Sequence, residues 1–219
     1  MRGDLVEKER AFAKNFLEEY VYDIRDKLGD VLLPYVEEKE AEQFRSILQK
    51  TEDWLYDEGE DQATQVYKDK FNQLRNIGDP ITERYQEAQE RPAAFEAMGL
   101  SLQRTRKAYE AYRAGHETYE HIEAADMEKV RKILEEKQAW LDKHASAQQN
   151  RKLTQTPSVM VTQIYQEKEA LERVVTPILN KPKPKLEPPP AETGKKEEDR
   201  IAEAGTTGEE SMQSMEVDG

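Results

Sequence analysis

The chain has 219 residues, of which 36% are hydrophobic and 36% are charged, so its apolar side chains are too few for one thick globular core. The formal net charge of −13 repels phosphate backbones and anionic lipid surfaces, and we expect neither nucleic acid nor a membrane as a partner. No cysteine, transmembrane run or signal peptide is present, which predicts a soluble chain in the cytoplasm, with the nucleus as a second compartment.

The first predicted helix covers about residues 5 to 28, behind a cap at Asp4 and before a left-handed stop at Gly29. Apolar side chains recur along it at a spacing of three to four, which is the helical period. This predicted core face consists of Phe12, Phe16, Tyr20, Ile24 and Leu28.

Proline and glycine divide the middle of the chain into further helices. A second helix, about 36 to 57, follows Pro34, and a third, about 62 to 77, begins behind Asp61 and ends at Gly78. Asp79 and Pro80 form a cap followed by a first-turn proline, which predicts that a fourth helix begins there.

Pro92 either kinks the fourth helix or begins another segment, which reaches about residue 122. Asp126 is the predicted cap of a helix that continues to about His144. Thr156-Pro157 repeats the cap and proline start for a last helix to about Leu179.

A helical hairpin occurs twice. "FRSILQKTEDWL" (44–55) aligns without gaps on "VRKILEEKQAWL" (130–141), and the helices that follow align Val66-Tyr67 with Ile164-Tyr165 and, after a one-residue gap, Pro80-Ile81 with Pro177-Ile178. Each hairpin must bury its apolar face against another helix. The residues predicted to form the structural core are Tyr20, Ile24, Ile47, Trp54, Leu55, Tyr67, Ile133, Trp140, Leu141 and Tyr165.

Catalytic and metal motifs are missing from the sequence. The acidic run "DEGED" (57–61) lacks the spacing of a calcium loop and is interpreted as a helix end at Gly59. His116 and His121 are five residues apart, too far for two zinc ligands on one helix face. No phosphate loop or catalytic triad occurs, so we expect no enzyme and no cofactor.

A basic cluster and three tyrosines lie between residues 104 and 119. Glu110 and Glu117 intersperse the cluster, which is typical of a solvated helix face rather than of a site for an acidic partner. The tyrosines have helical spacing and are expected to pack in the core. The cluster comprises Arg104, Arg106, Lys107 and Arg113, and the tyrosines are Tyr109, Tyr112 and Tyr119.

The composition changes near residue 180. Residues 181–219 contain half of the prolines and no aromatic side chain, which predicts a disordered tail rich in Pro, Glu and Lys. Residues 1–180 are therefore predicted to form the folded domain. Its expected fold is all-α, an elongated antiparallel helical bundle.

Several stretches in order resemble the 110-kilodalton heat-shock family, the large cytosolic relatives of the 70-kilodalton heat-shock chaperones. They are "AKNFLEEYVYDIRDKLGD" (13–30), "TEDWLYDEGEDQ" (51–62), "VYKDKFNQLRNIGDPI" (66–81), "QERPAAF" (89–95) and "PILNKPKPKLEPP" (177–189). The resemblance implies the C-terminal part of such a protein, a lid-like α subdomain with a disordered extension. The family's ATP-binding domain and β-sandwich have no counterpart in this sequence, so no nucleotide site is carried over.

In that family the whole protein is a nucleotide-exchange co-chaperone of the 70-kilodalton chaperones and holds unfolded clients, which are therefore the expected partners. Met215, Glu216, Val217 and Asp218 resemble the terminus that binds tetratricopeptide-repeat co-chaperones, although Gly219 follows the Asp whose terminal carboxylate that recognition requires. A structural coiled coil or helical-repeat scaffold is the alternative. Pro34, Pro80, Pro92 and Pro157 interrupt the heptads it would need.

Overall fold

The computed structural model describes residues 2–184, and every regular element in that range is a helix. In chain order these are α1 (Arg2–Leu28), a 3-10 turn (Leu33–Tyr35), α2 (Glu38–Tyr56), α3 (Thr64–Arg113), α4 (Ala124–Gln149) and α5 (Val161–Leu179). The all-α prediction is confirmed. The helices belong to a unit that ends at Lys183, and the predicted tail, from residue 185 onward, lies outside the described residues.

Helix α3 contains 50 residues and is about 75 Å long at 1.5 Å per residue, with Pro80 and Pro92 inside it. The predicted stop at Gly78 and restart at Pro80 are therefore wrong, as is a separate segment after Pro92. Asp79 is not a cap, because its carboxylate pairs with Arg75 at 2.7 Å one turn earlier in the same helix.

Two hydrophobic cores pack against α3, one on each half of it. Core one lies between α1, α2 and the N-terminal half of α3, and core two between the C-terminal half of α3, α4 and α5. An interior proline costs about 3 kcal/mol, whereas each fully buried Leu, Ile or Met side chain contributes about 1.5–3 kcal/mol. Leu74 and Ile81 in core one and Met98 and Leu102 in core two therefore outweigh both prolines and keep the helix continuous.

Gly78 serves close packing rather than helix termination. A Cβ at this position would lie 2.3 Å from the Tyr20 hydroxyl oxygen of α1 and 3.3 Å from the Phe44 ring of α2. Gly99, in the other half of α3, has nothing within 4 Å of its Cβ position. The contact of α1 and α2 with α3 therefore depends on a missing side chain at Gly78.

The predicted end of the first helix at Leu28 is confirmed, but two predicted capping devices are wrong. Gly29 is not in the left-handed region, whereas Gly115, two residues after α3, has a φ of 72°. Helix α4 begins at Ala124, so Asp126 lies within its first turn. Hydrogen bonds from Lys129 and Lys181 lower the pKa of Asp126 to about 2.

The start of α5 is displaced from the predicted Thr156-Pro157 because a side chain of α3 supplies the cap. Glu87 accepts the backbone N–H of Val161 at 2.9 Å, which satisfies one of the free donors at the helix N-terminus. Glu87 is held in turn by the buried Arg91, which donates to it at 3.1 Å and to the Val159 carbonyl at 3.1 Å.

The predicted core residues differ in burial. Ile24, Leu55 and Tyr67 are buried, whereas Ile47 and Tyr165 are 40% and 45% exposed, so the core prediction is wrong at these two positions. The other five are partly buried and pack against the two cores. Tyr20 and Trp54 pack against core one, and Ile133, Trp140 and Leu141 pack against core two.

The hairpin repeat is visible in the helices, with a corrected register. Helices α2 and α4 begin at Glu38 and Ala124, the same separation as Phe44 and Val130 in the sequence alignment. In the second helices the buried positions are Tyr67, Leu74, Gly78 and Ile81 between residues 67 and 81 of α3, and Ile164, Leu171, Val175 and Ile178 between residues 164 and 178 of α5. Their spacing is identical, so Tyr67 corresponds to Ile164 without a gap, and Tyr165 points away from core two.

The close packing of Tyr20 and Phe44 against Gly78 predicts how substitution of this glycine changes the stability of the fold. Gly78→Ala is expected to lower the free energy of unfolding by about 1–2 kcal/mol, because overpacking outweighs the helix propensity of alanine. The matched variant Gly99→Ala should raise it by about 0.5–1 kcal/mol, since only the propensity changes. Urea unfolding followed by circular dichroism measures both, and equal stabilisation by the two variants would contradict this packing.

Candidate protein-binding surface

The largest exposed aromatic side chains of α1 lie beside α3. Phe12 is 64% exposed and Phe16 is 61% exposed, although both were predicted to face the core. Together with Tyr20 and Tyr22 of α1 and with Phe71 of α3, they line a continuous surface, which we call the aromatic face.

Helix geometry explains why these phenylalanines are outside. Each step of four residues turns the side chain by about 40°, so three such steps from Phe12 to Ile24 turn it by about 120°. The two ends of the predicted face therefore point in different directions. The row that core one buries runs instead through Leu17, Val21, Ile24 and Leu28.

Two hollows form the aromatic face, and both are lined by Phe16 and Phe71. The smaller, about 370 Å³, is completed by Phe12, Glu9 and Lys68, and the larger, about 710 Å³, by Tyr20, Tyr22, Glu19 and Asp23. Apolar rings thus form the floor, and three carboxylates stand at the rim. Such a surface can bind apolar side chains that are flanked by basic groups.

Tyr20 holds the two helices together at the floor of this surface. Its ring packs edge-on against Phe71, with 5.2 Å between centroids. Its hydroxyl oxygen is buried and has no hydrogen-bond partner among the described residues. Burial and the charge of Asp79 raise the pKa of Tyr20 to about 12.

Phe71 was not among the residues predicted from the sequence. It lies between the buried Tyr67 and Leu74 of α3 and is itself only partly buried. An aromatic residue at the edge of an apolar stripe was the available signal. Its pairing with α1, however, depends on tertiary packing.

The acidic run at residues 57–61 forms a turn between α2 and α3. The Gly59 N–H donates to the Trp54 carbonyl at 2.7 Å, and a Cβ on Gly59 would lie 2.6 Å from that oxygen. The buried Tyr67 hydroxyl donates to the Gly59 carbonyl at 2.5 Å and accepts the N–H of Gln62 at 3.1 Å. The run is therefore an architectural turn that brings Trp54 and Tyr67 into edge-to-face contact.

Asp61 does not cap α3, which begins at Thr64. Its carboxylate lies 2.5 Å from Arg10 of α1, and this contact holds the pKa of Asp61 below its usual range. Arg10 also pairs with Glu7 at 2.6 Å. The ion pair ties the turn to the N-terminal half of α1, next to the aromatic face.

The remaining candidate residues lie near core two. His121 contacts the Lys181 carbonyl at 2.7 Å through Nε2, and no group of three or more metal-binding side chains occurs within residues 2–184. Arg106 and Arg113 border a hollow of about 460 Å³ between α3 and α4, where Arg106 donates to Gln138 at 3.2 Å. Tyr109, Tyr112 and Tyr119 pack against core two.

Two further predictions concern a membrane-spanning helix and the C-terminal tail. In the described part of the chain no helix is both long and apolar enough to cross a bilayer. Met215, Glu216, Val217 and Asp218 lie outside the described residues.

Comparison with known proteins supports the resemblance seen in the sequence. Residues 104–182 match the family model of the HYOU1-like, C-terminal domain, a range that covers α4, α5 and the end of α3. The chain is 45% identical over 216 residues to heat shock protein 110 of Caenorhabditis elegans, covering 99% of this chain and 27% of that protein. Over most of its length the chain thus matches proteins of the 110-kilodalton heat-shock family.

Other heat-shock proteins match over similar ranges. The 97 kDa heat shock protein of Strongylocentrotus purpuratus is 46% identical over 192 residues, which cover 87% of this chain and 22% of that protein. Heat shock 70 kDa protein 4L of Homo sapiens is 43% identical over 186 residues, which cover 85% of this chain and 22% of that protein. The chain thus spans about a quarter of the length of these relatives, and no solved structure matches it.

Proposed function

We propose that this chain is a non-catalytic, protein-binding module of a chaperone and that the aromatic face is its contact surface. The match to proteins of a heat-shock chaperone family supports the first part. The observation that carries the second is the exposure of Phe12 and Phe16 on α1. Exposed aromatic clusters of this kind mark sites of protein interaction.

The proposed activity is that of a nucleotide-exchange co-chaperone for 70-kilodalton heat-shock proteins that also holds unfolded clients. This module would contribute binding only and would need no cofactor. Its partners would be the 70-kilodalton chaperone and unfolded chains, with tetratricopeptide-repeat co-chaperones as candidates for the tail. The cytosolic compartment expected from the sequence stays a prediction.

A coiled-coil or helical-repeat scaffold is the less favoured function. It would need an apolar seam left free for a second chain. Here the buried rows of α1, α2, α4 and α5 are used within the chain, in the two cores along α3. The aromatic face is a patch rather than a heptad seam.

Phe12→Ser with Phe16→Ser tests the client-binding surface. The pair is expected to weaken the suppression of aggregation of heat-unfolded citrate synthase by about fivefold, the loss typical of an aromatic contact worth more than 1 kcal/mol. Light scattering at increasing concentrations of the chain measures the effect. The melting temperature should change little, because both side chains are exposed.

Leu100→Ser with Val174→Ser is the matched control, since it removes two exposed apolar side chains elsewhere on α3 and α5. This control should suppress aggregation as well as the unchanged chain does. Equal losses for both pairs would show general stickiness and would contradict a specific surface. No loss for either pair would remove the aromatic face from the proposed function.

The second test concerns nucleotide exchange. In the resembled family much of the exchange contact comes from the ATP-binding domain. The chain alone should therefore accelerate ADP release by less than about fivefold, which is the lower limit of typical coupling between two binding sites. Stopped-flow release of fluorescent ADP from a 70-kilodalton chaperone measures this. Full exchange activity of the chain alone would show that the helices themselves open the partner's nucleotide site.

A further inference from the structure

The segment between α4 and α5 is a non-helical surface loop with a distinctive basic sequence. It reads "NRKLTQTPSVM" from residue 150 to 160, and Arg151, Lys152 and Leu153 are exposed. Thr154 follows them and is half-buried. The loop is therefore accessible to another protein at its basic end.

Thr154 has an arginine three residues before it and a lysine two residues before it. Kinases that select substrates by charge recognise such basic residues through acidic pockets. In the whole sequence, an arginine stands three residues before a serine or threonine at only two positions, Thr154 and Thr176. Thr176 lies in the last turns of α5, whereas Thr154 lies in the loop.

The Thr154 side chain joins the loop to the residue that precedes α2. Its hydroxyl donates to Oε1 of Glu37 at 2.5 Å, and Glu37 is the residue directly before α2. Glu38 and Glu40 follow in the first turn of α2, so the surroundings of this hydroxyl are acidic. The contact connects a loop beside core two with a helix of core one.

We propose that Thr154 is a phosphorylation site for an arginine-directed serine/threonine kinase and that the phosphate breaks the contact with Glu37. The hydroxyl oxygen attacks the γ-phosphorus of ATP, the bond to the β-phosphate oxygen breaks, ADP leaves and the hydroxyl proton passes to the kinase base. The dianionic form of the product has no proton to donate to Glu37. The product also carries between −1.5 and −2 charges beside a carboxylate, so donor loss and repulsion act together.

The site is tested on the intact chain with ATP and the catalytic subunit of cyclic-AMP-dependent protein kinase. Mass spectrometry is expected to find phosphate on Thr154 and little on Thr176. A kinase binds its substrate as an extended segment, and α5 would have to unfold to supply one, whereas at Thr154 only the turn between Lys152 and Gln155 would have to open. Arg151→Ala should slow incorporation about tenfold, as expected when one charged recognition contact is lost. Thr154→Ala should abolish the signal, and Thr176→Ala should keep it.

Peptides of the digested chain that contain either threonine provide the control for sequence preference alone. Both should be phosphorylated, which would assign the difference in the folded chain to structure. Preferential labelling of Thr176 in the folded chain, no labelling of Thr154, or equal rates with and without Arg151 would each overturn the site.

The consequence is tested by hydrogen exchange in the first turns of α2, residues 37–44. The phosphorylated chain should exchange there more than about fivefold faster than the unmodified chain, because the loss of one typical hydrogen bond alone accounts for about fivefold and charge repulsion adds to it. Thr154→Val removes only the hydroxyl and should give a smaller increase than the phosphate. Unchanged or slower exchange after phosphorylation would overturn the proposed break with Glu37.

Discussion

The continuity of α3 is the constraint on which the rest of the structure depends. Leu74 and Ile81 are buried in one core and Ala94 and Met98 in another, although all four belong to the same helix. Because both cores pack against this one helix, the helix fixes the orientation of each core relative to the other. The prolines inside α3 are tolerated because burial on both sides exceeds their local cost.

The same constraint explains which parts of the fold the sequence could predict. The helical class, the hairpin repeat and the burial of Leu55 and Tyr67 follow from apolar period, which is local information. The unbroken α3 does not follow, since Gly78 and Pro80 carry strong local stop signals. Only the neighbours of Gly78, the Tyr20 hydroxyl and the Phe44 ring, show that its role is packing.

The candidate surface was the harder part to predict for a related reason. Phe12 and Phe16 fit a helical period as well as Leu17 and Val21 do, and the two rows differ by one residue. Which row is buried depends on how α1 lies against α3, where Gly78 leaves room for the Tyr20 side chain of α1. The family relationship identifies a chaperone module, whereas the exposed rings identify a surface on it.

Cα chemical shifts of residues 76–93 in the intact chain test whether α3 is one helix shared by two cores. A continuous helix should give helical shifts through Pro80 and Pro92, together with slow amide exchange at Ile81 and Ala94, which face the cores. Non-helical shifts on either side of Pro80 or Pro92, with fast exchange between them, would show two helices joined by a linker instead.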